Sequence, residues 1–90
     1  MYQLTYHTEV AHDIARLGTA EKRRIKQAIE SKLAISPVLF GKPLQHSLIG
    51  LRSLRVGDYR VVFKLSNDEV FIVLIAHRSI VYTEVNSRSV

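Results

Sequence analysis

Apolar positions along the chain first alternate, then spread to helical spacing, then alternate again. Over residues 1–7, Tyr2, Leu4 and Tyr6 interleave with Gln3, Thr5 and His7, and this period of two predicts a first strand. From Thr8 the period lengthens. Val10, Ile14 and Leu17, with Ala11 and Ala15 beside them, predict one helical face that Gly18 stops. Thr19 fits the N-cap of a second helix, with Glu21 in its first turn to complement the dipole. Ile25, Ala28, Ile29 and Leu33 form that helix's buried stripe. Ser36-Pro37 ends it, because the residue before a proline disfavours helical geometry. The pattern predicts a helical hairpin with a very tight turn.

Residues 37–50 read as an ordered loop anchored to the core by Leu39, Phe40, Leu44 and Leu48. Alternation then returns in two strands, Leu51 to Val56 and Tyr59 to Leu65, joined by the turn dipeptide Gly57-Asp58. After a turn over Ser66 to Glu69, the run Val70 to Ala76 is apolar at both parities, which predicts a central strand covered on both faces. His77 to Tyr82 leaves that strand as a short helix or irregular tail, and Thr83 to Val90 is expected to be disordered without a partner. The order is β-α-α-β-β-β, an α+β fold. The N-terminal strand joins a three-stranded antiparallel meander, the two-helix hairpin packs on one face of the sheet, and the other face stays partly open. At 90 residues the chain fits one domain with a single core.

Composition narrows the chemistry. Cysteine is absent, so disulfides, thiolate metal sites and cysteine nucleophiles drop out. The four glycines are scattered and form no phosphate-cradling loop, the histidines have no i, i+4 pairing, and the acids are dispersed; neither a metal nor a cofactor is predicted. No apolar run approaches the ~20 residues that span a bilayer, and the first residues lack a signal-peptide pattern, so the cytoplasm is the expected location. Thirteen Lys and Arg against eight Asp and Glu give a net charge of +5, which points to phosphate backbones or an acidic protein partner.

Alternation locates the cations that matter. Ser53 and Arg55 share a face of one strand, and Arg60, Val62 and Lys64 share a face of the next, while the larger apolar set faces the helices. Arg78 follows the neighbouring strand and Tyr82 comes one helical turn later. Cations from three adjacent strands are thus expected around one shallow basin that attracts a polyanion with planar groups: guanidinium binds phosphate bidentately and tyrosine stacks on a base. The competing reading makes them solvated charges that keep the strands soluble. His77, beside the basin, has a reference pKa near 6.5 that suits acid–base work. Lys22, Arg23 and Lys26, near the start of the second helix, read as a solvated face or as distant phosphate contacts.

The run Leu51-Arg-Ser-Leu-Arg-Val-Gly-Asp-Tyr-Arg-Val-Val-Phe, followed by Ala76-His-Arg-Ser-Ile-Val-Tyr82, resembles the RelE branch of the RelE/ParE toxin superfamily. The segments Gly41-Lys-Pro-Leu and Leu48-Ile-Gly-Leu are similar to that family's entry to the second strand, and the hairpin matches too. The resemblance implies a type II toxin that cuts messenger RNA on the ribosome, by attack of the substrate's 2′-hydroxyl on the adjacent phosphate without a metal, and that thereby inhibits translation. Arg60 and Arg78 match the arginines that hold the scissile phosphate, Tyr82 the tyrosine that orients a base and assists proton transfer, and Arg55 a phosphate-binding lysine. Where the branch places two lysines spaced by one residue, this chain has Ser53 and Arg55. Arginine is a poor proton acceptor, which leaves His77, Tyr82 as phenolate, Lys64 or the ribosome to supply the base. The implied partners are an acidic, dimeric, DNA-binding antitoxin, the ribosome and its message, with operator DNA reached only through the antitoxin and no membrane involved. Two alternatives share the fold: a ParE-like inhibitor of DNA gyrase without nuclease activity, and an inactive homologue that serves as co-repressor with its antitoxin.

Overall fold

The computed structural model describes residues 1–45 and 50–89. Its elements are β1 (Gln3–Tyr6), α1 (Val10–Ala15), α2 (Thr19–Ala28), α3 (Pro37–Phe40), β2 (Lys42–Pro43), β3 (Arg52–Val56), β4 (Tyr59–Leu65), β5 (Glu69–His77) and α4 (Val81–Ser87), with a π-helical turn over Ile29–Leu33 prolonging α2. The five strands form one sheet in the order β1-β5-β4-β3-β2. β1 runs parallel to β5 and the other neighbours are antiparallel. The α+β class, the hairpin and the meander match the sequence pattern. The sheet gains β2, which the pattern does not signal.

Both faces of the sheet are packed. Leu54, Val61, Phe63, Ile72 and Ile75 meet Val10, Leu17, Ile25, Ile29 and Leu33 of the hairpin. On the reverse side Val62, Val73, Leu74 and Ala76 meet Leu44, Leu51 and Val81, with Val85 alongside. A bulge explains how the consecutive residues Val73 and Leu74 join one cluster: Val62 pairs with Leu74 but Phe63 with Ile72, so β5 carries one extra residue there.

Three expectations change. The loop over residues 37–50 begins as α3, opened by Pro37 at the helix start where its missing N–H costs nothing. Leu39 and Phe40 are exposed and join neither core cluster, Leu44 is buried, and Leu48 lies outside the described residues. On α1 the buried polar position is Asp13, at 3% exposure, while Ile14 stands 37% exposed. The cause is β5, which runs past the last β1 pair, Tyr6 with Ile72. Beyond it the Ile75 N–H and the Val73 carbonyl face no strand. Asp13 Oδ2 accepts from Ile75 N–H at 3.0 Å, and Arg88 Nη1 donates to the Val73 carbonyl at 3.1 Å. The two side chains meet each other in a fork, Nη1 to Oδ2 at 2.6 Å and Nη2 to Oδ1 at 3.0 Å. That pairing raises the Arg88 pKa further above its already high value, chiefly through the hydrogen bonds to Asp13.

The same clamp corrects the expectation of a disordered tail. α4 covers part of the reverse face, and its end is held to the N-terminal elements in three places. Besides Arg88, Arg16 Nη1 donates to Glu84 Oε1 at 3.1 Å. His7 Nε2 donates to the Ser89 carbonyl at 2.6 Å while its Nδ1 accepts from Glu9 N–H at 3.0 Å.

Candidate nucleic-acid interface

The β3–β4 hairpin closes at Gly57, whose φ of +61° lies in the left-handed region where glycine is unstrained. The turn sets Arg55 directly opposite Arg60. Opposed residues in an antiparallel pair share a face with Cβ atoms about 5 Å apart, so two guanidinium groups start side by side and repel unless an anion sits between them. Their remaining contacts are neutral. Arg60, half-buried, donates from Nη1 to Ser53 Oγ at 2.9 Å, and Ser53 is itself buried on the same face. Arg55 donates from Nε to the Gly57 carbonyl at 3.2 Å.

On its other side Arg60 pairs with Ala76, whose methyl is too short to cover it. The Arg78 N–H donates to the Asp58 carbonyl at 2.8 Å, which continues the β4–β5 pairing one step beyond Tyr59 and His77. By alternation Arg78 therefore shares the face of Ala76 and Arg60. Its Nε lies 3.9 Å from Asp58 Oδ1, with both side chains more than 60% exposed, a surface pair that holds the guanidinium only weakly. Tyr82 stands exposed in the first turn of α4, four residues past Arg78. The cationic surface is a corner beside the β3–β4 turn, because α4 and Leu44 cover the middle of the face that the sequence leaves open.

The other candidates lie elsewhere. His77 pairs with Tyr59 on the hairpin side of the sheet, its ring edge-on to the tyrosine at 5.4 Å between centroids. Its Nδ1 accepts from the Ser79 N–H at 3.1 Å and lies 2.8 Å from Ser79 Oγ, so that lone pair is already engaged. The expectation that His77 borders the basin is thus corrected: a one-residue step along β5 turns it to the opposite face. Lys64 is exposed on the Arg60 face, but four residues along the strand is about 13 Å. Lys22, Arg23 and Lys26 are on α2, across the sheet from Arg60. Lys22 and Lys26 border an apolar groove of about 260 Å³ floored by Tyr6, Ile14, Leu17, Ile25 and Ile29. Burial, then the Glu30 charge, raise the Tyr6 hydroxyl above its usual value.

Sequence reasoning missed Ser53 as the partner that orients Arg60, and Asp13 with Arg88 as the clamp behind α4. Asp13 had a visible signal, since it lies three residues after Val10 and four before Leu17, inside the helical stripe. Arg88 had none. Among the described residues no group of three or more His, Asp or Glu side chains gathers as metal ligands, and no helix is long and apolar enough to cross a membrane.

Comparison with known proteins adds to this geometry. The family described as the ParE toxin of the type II toxin–antitoxin system parDE matches residues 4–82. Toxin RelE of Mycobacterium tuberculosis is 35% identical over 83 residues, covering 90% of this chain and 86% of the relative. Toxin RelG of the same organism is 25% identical over 83 residues, covering 90% of this chain and 95% of the relative. Among solved structures, the RelBE2 toxin–antitoxin complex from Mycobacterium tuberculosis superposes with a TM-score of 0.78 at 26% identity, covering 86% of this chain and 98% of the other. The RelB–RelE antitoxin–toxin complex from Methanococcus jannaschii gives a TM-score of 0.71 at 20% identity, over 89% of this chain and 96% of the other, a likeness of fold.

Proposed function

We propose that this chain, which belongs to the ParE toxin family of type II toxin–antitoxin systems, works as a RelE-like endoribonuclease that cuts messenger RNA on the ribosome and is neutralised by a cognate antitoxin. The observation that carries the reading is the gathering of Arg55, Arg60 and Arg78 on one corner of the sheet, with Tyr82 at its rim and, among the described residues, no buried carboxylate to neutralise them. In the proposed reaction the message supplies its own nucleophile: a 2′-oxygen attacks the adjacent phosphorus, the 5′-oxygen leaves, and a 2′,3′-cyclic phosphate and a 5′-hydroxyl result. Negative charge grows on the phosphoryl oxygens, and fixed guanidinium groups aimed at it stabilise the transition state.

Arg60, oriented by Ser53, grips the phosphate, and Arg78 exchanges its weak contact with Asp58 for the stronger charge of the message. Arg55 takes the second phosphoryl edge or the neighbouring phosphate, and Lys64 one further along the strand. Tyr82 stacks on the base beside the cut and assists the proton transfer. With His77 turned away, the ribosome supplies the rest of the proton transfer. The work is done in the cytoplasm, where messages are translated. The antitoxin is proposed to bring an acidic, amphipathic segment, and the apolar groove between Lys22 and Lys26 suits its docking.

Expression of Arg60→Ala, Arg78→Ala and Tyr82→Ala variants tests the assignment. Each is expected to relieve growth arrest and to reduce message cleavage roughly 100-fold or more, as loss of one oxyanion-stabilising donor does elsewhere. Full toxicity in all three would remove this corner as the active site. The match to a ParE model favours one second reading, inhibition of DNA gyrase without cleavage. Primer extension separates them: cuts at codon positions belong to the first, DNA-damage signalling without cuts to the second.

A further inference from the structure

We infer that the cleft between α2 and the β3–β4 turn is a second phosphate-binding site, which holds the RNA backbone where it leaves the basin around the edge of the sheet. The inference rests on the RNA reading above and extends it to residues that reading does not use. The cleft measures about 370 Å³ and is lined by Arg24, Gln27, Ser31, Lys32 and Arg55, beside the backbone of Gly57. Three cations line it and no carboxylate does; among the described residues none of the three makes an ion pair. Glu21 and Asp58 line the neighbouring hollow beyond Arg24, and Glu30 the one beyond Gln27 and Ser31, so the negative groups flank the cleft without lining it.

Two guanidinium groups converge on one turn. A methyl at Gly57 would meet the Arg24 guanidinium nitrogens at 3.1 and 3.2 Å, and Arg55 already donates to the Gly57 carbonyl. Lys32 adds an ammonium from the π-helical turn, held over the Phe40 ring at 5.6 Å, and Gln27 and Ser31 offer neutral donors between the charges. Like charges gathered without a counter-charge raise the local potential, which a bound phosphodiester lowers.

The route to the cleft is built into the sheet. Among the described residues β2 pairs only with Arg52 and Ser53, which leaves β3 as the edge of the sheet at Arg55. Arg55 belongs to both places, opposite Arg60 on the basin face and in the wall of the cleft. A flexible polyanion gripped at Arg60 can therefore pass over Arg55 and reach Arg24 and Lys32 without crossing an acidic group. A chain that bends at every residue and carries one charge per unit fits such a path, which favours single-stranded RNA over an acidic protein helix.

The test measures binding of a short, fluorescently labelled 2′-O-methyl RNA, which has no free 2′-hydroxyl and is not cut, by anisotropy over a range of salt concentrations. The proteins compared are the full chain and its Arg24→Gln/Lys32→Gln variant, neither residue belonging to the proposed reaction. Each lost phosphate contact lowers the log–log salt slope by about 0.7 for single strands, so the double variant is expected to lose about 1.4 in slope and to bind more weakly. Arg24→Lys should keep the slope, since it keeps the charge. An unchanged slope with an unchanged melting temperature overturns the inference. So does a loss seen only with a poly-glutamate probe, which would assign the cleft to an acidic protein. Because the probe is not cleaved and no ribosome is present, failure of the nuclease reading shows separately, as normal probe binding without message cleavage.

Discussion

The two sides of the sheet treat charge in opposite ways. Under the hairpin, Leu54, Val61, Phe63 and Ile72 are sealed by apolar side chains, and Asp13 and Arg88, buried beside them, consume each other's hydrogen bonds and those of the bare β5 edge. Arg52, on the same face, spends its Nη2 on the Gly41 and Val38 carbonyls, and its buried Nε has no partner among the described residues. On the reverse side α4 seals only the middle, and Arg55, Arg60 and Arg78 are left at a corner with neutral or weak partners. The contrast within one residue type is sharp: the Arg88 side chain is 9% exposed and the Arg78 side chain 62%. Burying a guanidinium is tolerated where a carboxylate and a carbonyl use its donors. A guanidinium most of whose donors are unspent stays near solvent, as Arg78 does, and there it is available to an outside anion.

The largest effect should come from breaking the buried pair. Arg88→Met leaves the Asp13 carboxylate buried with one backbone donor, which is expected to cost about 3–5 kcal/mol. For a domain of this size that lowers Tm by roughly 15 °C or more. Asp13→Asn combined with Arg88→Met should recover part of the loss, because the amide oxygen still accepts from Ile75 N–H; thermal unfolding of the parent, the single and the double variant checks this. A single variant as stable as the parent would show that the clamp does not hold α4.

Next is the turn that aligns the open corner. Gly57→Ala forces a side chain into the left-handed region and is expected to cost about 1–2 kcal/mol, read by urea unfolding. Smaller still is Ser53→Ala, which removes the hydroxyl that accepts from the Arg60 guanidinium; the half-buried arginine can turn to water instead, so the net loss is about 1 kcal/mol. It should reduce message cleavage about five- to tenfold while lowering Tm by only about 4–8 °C, and Ser53→Thr, which keeps the hydroxyl, should restore most of the activity. Equal activity would mean that Arg60 needs no support.

The smallest prediction concerns Tyr6, at the apolar groove. Its pKa is raised above 10.0, so the folded state holds the phenol proton more tightly than the unfolded chain does. The stability this gives is present below the unfolded value and is lost as pH rises through the folded one. Tm should therefore fall slightly above pH 10, and less so in Tyr6→Phe.

The hairpin, the meander and the cationic face were legible because each is periodic, and a period names a face before any contact is known. The site's support was not. Arg88 acts through Asp13, 75 residues earlier, and no local pattern links them. α4 offers only Val81 and Val85 as apolar contacts, too few to distinguish a packed helix from a tail. His77 was misplaced because the run before it is apolar at both parities, so alternation could not say which face it joins. The pairing with Tyr59 settles that. Leu39 and Phe40 show the reverse error: apolar residues assigned to the core that the fold leaves outside.

The most direct measurement is cell-free translation with the purified chain, with message cleavage mapped by primer extension in the presence and absence of ribosomes. The account predicts cuts at codon positions only when ribosomes translate the message, and loss of those cuts with Arg60→Ala or Arg78→Ala at unchanged Tm. An intact message under translation by the folded parent chain, or cuts that persist undiminished in both variants, would contradict it.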